Sequence, residues 1–330
     1  MKFSVRAIFI IAAGVLASQA APAHAQSASG SPDMISKSAA VYATYHSDVS
    51  DVRTTPFSSA DDIEESLTNL GGQNAEKLSS GWIAYSALVA SQDPQFRSAV
   101  RDIEGFYGRD SLMLGLRNDI RYARTLEGGT NAVTSSLAAV EADSRRLKGA
   151  GAYVKEQAYS LQGAGWAKAR IGNTDALINE MKTTALSGRP VRANLRSAFS
   201  APDIDSVLVR AGQAGAPSLW EGVSSAASAI KFPTIKAAYS GRAARIRHGK
   251  EPIADKIATL AAYRILGEGA APASELREAM NERSTSSCLK MAQLNLQQCV
   301  AAAHKQYEVP FCIGEHALTD VGQCIGEVTQ

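Results

Sequence analysis

Residues 131–170 read NAVTSSLAAVEADSRRLKGAGAYVKEQAYSLQGAGWAKAR. Taken every seventh residue, one column is Val133, Val140, Leu147, Val154 and Leu161, and a second is Leu137, Ser144, Gly151, Ala158 and Gly165. Apolar positions alternating by four and three are the seam of a helix lying along a partner. One column is bulky and the other mostly small. Small side chains let a neighbouring backbone approach closely, at about 1 kcal/mol for each interior glycine relative to alanine. The seam therefore reads as packing inside one chain, since an intermolecular coiled coil usually wants large residues in both columns. The Gly149-Ala150-Gly151 and Gly163-Ala164-Gly165 steps are the two places where such a helix could break.

Working outward, helical spacing recurs. Leu78, Trp82, Tyr85 and Val89 fall on one helical face, and Met113, Leu116, Ile120 and Ala123 repeat the pattern. Ser59 with Asp61 and Asp62 reads as a helix start, as does Asp93-Pro94. Asp203 and Ser218 are further candidate caps. Turn chemistry stands at Gly188-Arg189-Pro190, Ala201-Pro202-Asp203, Gly212 to Ser218 and Gly267 to Ser274. No sustained two-residue alternation of Val, Ile and Thr bounded by turns is present, so the expected class is all-α, a bundle-like helical body over residues 34–270.

All four cysteines lie in the last 43 residues, which set off a second unit over 284–328. Cys288 and Cys299 are eleven residues apart, about 20° from whole helical turns, so they share a face about 16 Å apart, too far to bond each other. A turn near Val309-Pro310 and an antiparallel return would bring Cys299 to Cys312 and Cys288 to Cys324. Twelve residues separate Cys312 from Cys324, about 120° out of phase in an α-helix, so the return arm must be kinked or broken, with Gly314, Thr319-Asp320 and Gly322 as candidate places. The arrangement resembles the stapled helical hairpins of the twin-Cys class over about 40 residues, and no function is carried over from it. The rival reading of the same residues is a tetrahedral zinc site from Cys299, His304, Cys312 and His316; its spacing matches no known zinc-finger pattern, and disulfides are favoured.

Residues 1–25 have the three parts of a secretory signal: Lys2 and Arg6, then the apolar run Ala7 to Ala17, then Ala23-His24-Ala25, which predicts cleavage before Gln26. Residues 26–33 (QSASGSPD) read as a flexible leader. The apolar run is too short to span a bilayer, and no later stretch is long and apolar enough. The expected location is therefore periplasmic or extracellular, with no transmembrane segment in the mature chain. The 330-residue chain is 45% hydrophobic, enough to build a core. Without Lys2 and Arg6 it carries 32 basic and 32 acidic groups, and that balance argues against a nucleic-acid partner.

Charge is nonetheless uneven. Lys231, Lys236, Arg242, Arg245, Arg247 and Lys250 fall in a twenty-residue stretch without an acid, and His248 sits among them. Arg242, Arg245, Arg247, His248 and Lys250 form a candidate patch for an anionic envelope component, against the plainer reading of a solvated face balanced by distant acids. Asp61, Asp62, Glu64 and Glu65 are too close to a helix start to suggest catalysis. Glu315 beside His316 reads as a surface pair, and Tyr42, Tyr45, Trp82, Trp166 and Trp220 read as core. No G-x-S-x-G, H-E-x-x-H, Walker A, G-x-G-x-x-G, C-x-x-C or C-x-x-C-H occurs, so no catalytic residue and no cofactor are assigned. The expected function is an exported, non-enzymatic envelope protein that binds another macromolecule, either an envelope protein or an anionic component. A helical carrier of a small apolar ligand and a cell-wall glycan hydrolase are the alternatives.

Overall fold

Short polar side chains start the helices where the sequence places them. In the computed structural model, which describes residues 34–201, 204, 205, 208, 244–267 and 271–329, Ser59 Oγ accepts from Asp62 N while the Asp62 carboxylate accepts from Ser59 N, a reciprocal cap. Asp93 accepts from Phe96 N at 2.9 Å, with Pro94 in the first turn. The candidate caps Asp203 and Ser218, residues 1–33, Trp220, Lys231, Lys236 and Arg242 lie outside the described residues.

The helices are α1 (Met34–Thr54), α2 (Ala60–Gly71), α3 (Ala75–Ala90), α4 (Pro94–Tyr107), α5 (Arg109–Asn118), α6 (Tyr122–Thr125), α7 (Gly129–Leu161), α8 (Thr174–Ser187), α9 (Ala193–Ala198), α10 (Glu251–Leu266), α11 (Ala273–Met280), α12 (Arg283–Ala302), α13 (Val309–Cys312) and α14 (Asp320–Gly326). A π-helix, Ile313–Thr319, joins α13 to α14. No strand occurs among the described residues, so the fold is all-α; two isolated β-bridges, Arg170 with Lys305 and Ile246 with Thr329, are its only extended pairings. No helix among these residues is long and apolar enough to cross a membrane.

α3 is the central element. Trp82, Tyr85, Leu78 and Val89 are buried as expected, but Ile83, Ala84, Ala87 and Leu88 on the other faces are buried too, because α1, α7, α10 and α12 all pack on it. The second repeat is shorter than its spacing implies. Met113 and Leu116 are buried in α5, but the helix ends at Asn118, Ile120 is exposed, and Ala123 belongs to α6. Asp119, in extended conformation, accepts from Arg121 N and ends the helix before the pattern does.

α7 runs for 33 residues, about 50 Å, straight through the Gly149-Ala150-Gly151 step. Every member of the two columns from Val133 to Leu161 is buried; Gly165 lies past the helix end and is exposed. The small column receives the C-terminal return arm, so the seam is internal to the chain. Ser144 Oγ donates to Gly322 O at 2.6 Å. Gly151 and Gly314 lie backbone to backbone, where a Cβ on Gly314 would sit 2.7 Å from Gly151 O.

Cys288 bonds Cys324 and Cys299 bonds Cys312, each with Cα atoms 5.6 Å apart. The phase problem in the return arm is solved by the π-helix. Its wider turn, about 4.4 residues, advances about 82° per residue instead of 100°. Over the seven residues of Ile313–Thr319 that takes back about 125°, which cancels the α-helical offset of about 120° and turns Cys324 onto the face that Cys312 occupies. The arm is not broken at Gly314 or Thr319-Asp320; it is unwound between them. The same arm is tied to the body by Tyr45, whose hydroxyl donates to Ala317 O at 2.6 Å, and one continuous apolar core runs from Ile35 to Val328.

Candidate functional site: a basic edge beside the stapled arm

Of the basic stretch, Ala244 onward belongs to the described residues. Ala244 is buried and Ile246 is bridged to Thr329, while Arg247 N donates to Val328 O at 2.9 Å. An extended chain sends successive side chains to opposite sides. With Ile246 packed toward the core, Arg245 and Arg247 project together into solvent, and both are exposed. Lys250 N donates back to Arg247 O at 2.9 Å, and Gly249, at φ +84, supplies the left-handed residue that this turn needs. The chain then enters α10.

The cations of this edge are not equivalent. Lys250 Nζ reaches Ser284 Oγ at 2.9 Å and Glu327 Oε2 at 3.2 Å, so it joins the edge to α12 and the C-terminus. The His248 side chain is fully exposed, with Nδ1 3.7 Å from Glu251 Oε1. Arg245 and Arg247 make no ion pair among the described residues. The edge is thus an extended rung, not a helix face, and acids balance only part of it.

The other sequence candidates divide cleanly. The sulfurs of Cys299 and Cys312 are bonded to each other, so the Cys299, His304, Cys312, His316 quartet does not come together as a ligand set, and no cluster of three or more His, Cys, Asp and Glu forms among the described residues. His304 is exposed. His316 Nδ1 pairs with Asp320 Oδ2 at 2.8 Å, and Glu315 pairs with Lys155 Nζ at 2.5 Å rather than with its neighbour. His316 lines a cleft with Tyr45, Gln73 and Gln293 whose free interior has room for about one water. Asp62 is engaged in its cap, where hydrogen bonds from Ser58 and Ser59 hold its carboxyl below the usual range.

One site was missed by the sequence reading. Between α1, α3 and α7 lies a buried polar cluster. Tyr42 donates to Asp143 Oδ2 at 3.0 Å, Arg146 stands 3.7 Å from Asp143 Oδ1 and donates to His46 Nδ1, and the Tyr85 ring lies 5.2 Å from that of Tyr42. The signal was present: Asp143 is three residues after Val140 and four before Leu147, inside the apolar stripe. Burial pushes the Asp143 carboxyl up to about 7, against the pull of Arg146 and the Tyr42 hydroxyl. Burial, then Arg146, pushes His46 well below its ordinary value, so the ring is neutral.

These shifts have opposite signs in stability. The native carboxyl of Asp143 keeps its proton above pH 3.8, where the unfolded chain loses it, so this group's contribution falls as pH rises from about 4 to 7, by up to about 4 kcal/mol. His46 acts the other way, because the unfolded ring takes a proton below pH 6.5 and the native ring does not. Comparing wild type with Asp143→Asn isolates the first effect. By urea unfolding, the wild-type advantage over this variant should shrink by more than about 1 kcal/mol between pH 5 and pH 8. An advantage independent of pH would show that Asp143 is ionised throughout.

No protein-family model, curated protein or solved structure matches this chain.

Proposed function

We propose that this is an exported, non-enzymatic binding protein of the cell envelope, which engages an anionic component through Arg245, Arg247 and His248. The observation that carries the reading is the rung itself. Two arginines project to the same side of a backbone that is pinned to Val328 and Thr329, and no carboxylate among the described residues pairs with either. Because the backbone is already ordered, only side-chain freedom is lost on binding, which favours recognition of a phosphate or carboxylate. The export reading draws on the signal pattern of residues 1–25 and agrees with two disulfides, which persist in oxidising compartments. The cleft beside His316 holds about one water, so it offers nothing to a carrier role.

The test uses residues 26–330, anionic and neutral lipid vesicles, and soluble polyphosphate. At low ionic strength the protein should bind at least one anionic probe and ignore neutral vesicles. Binding should weaken toward 0.15 M salt, where the Debye length is about 8 Å. Arg245→Glu with Arg247→Glu should lower affinity at least tenfold with unchanged melting temperature. Equal binding by wild type and this variant would overturn the reading.

A further inference from the structure

The second β-bridge also carries cations. Arg170 and Lys305 are directly opposite each other in an antiparallel bridge, with Ile171 N donating to His304 O at 3.1 Å and Gln306 N to Ala169 O at 3.2 Å. Opposed residues of such a bridge point to the same side, and like charges there repel. Arg170 is exposed and Lys305 half-buried; Lys168 and His304, both exposed, are next to them. The nearby acid offsets part of this charge but makes no ion pair with either cation. Glu308 Oε2 accepts from the backbone of His304 at 2.5 Å and of Lys305 at 3.1 Å. Neither Arg170 nor Lys305 forms an ion pair among the described residues.

The two basic rungs stand at opposite ends of one rigid element. Lys250 ties the Arg245–Arg247 rung to Ser284, in the first turn of α12, and Arg283, exposed and without an ion pair among the described residues, is beside it. Lys305 follows the end of α12 at Ala302 by three residues. The 20 residues of α12 span about 30 Å. Both ends of that span are clamped by the disulfides, Cys288 to Cys324 near the first rung and Cys299 to Cys312 near the second. Two of the acids around the first rung are engaged as well, Glu327 by Lys250 and Glu282 by the backbone N–H groups of Ser284 and Thr285, while Glu251 Oε1 stands 3.7 Å from His248 Nδ1.

We infer that the partner is a linear polyanion long enough to bridge about 30 Å, held by Arg245 and Arg247 at one end of α12 and by Arg170 and Lys305 at the other. This rests on the anion-binding reading above and narrows it from any anionic component to an extended chain. Two fixed sites turn the second contact into an intramolecular one, so affinity rises steeply once the ligand reaches across.

The test measures binding of residues 26–330 to two polyphosphate fractions, one shorter than 30 Å when extended and one several times longer, compared at equal phosphate concentration. The longer fraction should bind at least tenfold tighter. Arg170→Glu with Lys305→Glu should remove that advantage while leaving short-chain binding at the other rung. Arg245, Arg247 and Arg170 are exposed and Lys305 is half-buried, and an unchanged melting temperature confirms that each variant is folded. Equal affinity for short and long fractions, or long-chain binding untouched by Arg170→Glu with Lys305→Glu, overturns the bridging inference and leaves the single-rung reading intact. Binding to phosphatidylglycerol vesicles without length-dependent polyphosphate binding also overturns it and assigns the Arg245–Arg247 rung to a lipid surface. No binding to any anionic probe overturns the underlying reading as well.

Discussion

Gly151→Val should destabilise the protein by about 3 kcal/mol or more and lower its melting temperature by several degrees. A Cβ at this position would meet the carbonyl oxygen of Gly314 and the hydroxyl of Thr319. Both belong to the π-helix, which is held by a disulfide-bonded cysteine on either side and by the Tyr45 hydroxyl. A flexible side chain could move aside, but a backbone carbonyl between two staples cannot. Helix propensity works slightly the other way, since valine is a better helix former than glycine, but by far less than the clash. The control is Gly149→Val, two residues away on the same helix, where nothing lies within 4 Å of the added Cβ. Thermal unfolding of the two variants should differ by most of the Gly151 effect. Equal, small changes in both would mean that the arm does not pack into the small column.

Removing Cys288–Cys324 should cost more than removing Cys299–Cys312. The chain-entropy estimate scales with the closed loop, and separations of 36 and 13 residues give about 4 and about 3 kcal/mol. With one apolar core running through both body and arm, the loss should appear as a downward shift of one cooperative transition in Cys288→Ser with Cys324→Ser. Far-UV circular dichroism at room temperature should keep its helical signal. Two separated transitions, the first confined to the arm, would instead mark residues 284–328 as an independent unit.

The parts of the fold that were legible in the sequence are those governed by local periodicity and local capping. The α7 columns, the caps at Ser59 and Asp93, and the geometry that pairs Cys288 with Cys324 all follow from spacings within about 40 residues. The limits were equally physical. An α-helical count showed that the arm between Cys312 and Cys324 had to depart from regular geometry, but a break and an unwinding satisfy that count equally well, and only packing on Gly151 and Ser144 decides between them. The buried Asp143 could have been found from its place in the stripe. Arg170 and Lys305 could not, because 135 residues separate them and no local spacing signals their pairing. The basic stretch was legible as charge, but its shape was not: a solvated helix face was the plainer expectation, whereas the bridge from Ile246 to Thr329 makes an extended rung, and that pairing depends on the far end of the chain.

The π-helix has one more implication, for how the chain can change length. Its unwinding matches the angular error of a twelve-residue interval and not that of an interval one residue shorter or longer. One residue inserted or deleted between Cys312 and Cys324 would rotate every later side chain by about 100°, swinging Cys324 away from Cys288 and Gly322 away from Ser144. The arm therefore tolerates exchange of residues far better than a change in their number. Homologues that retain both staples are expected to retain this interval and to place their insertions elsewhere.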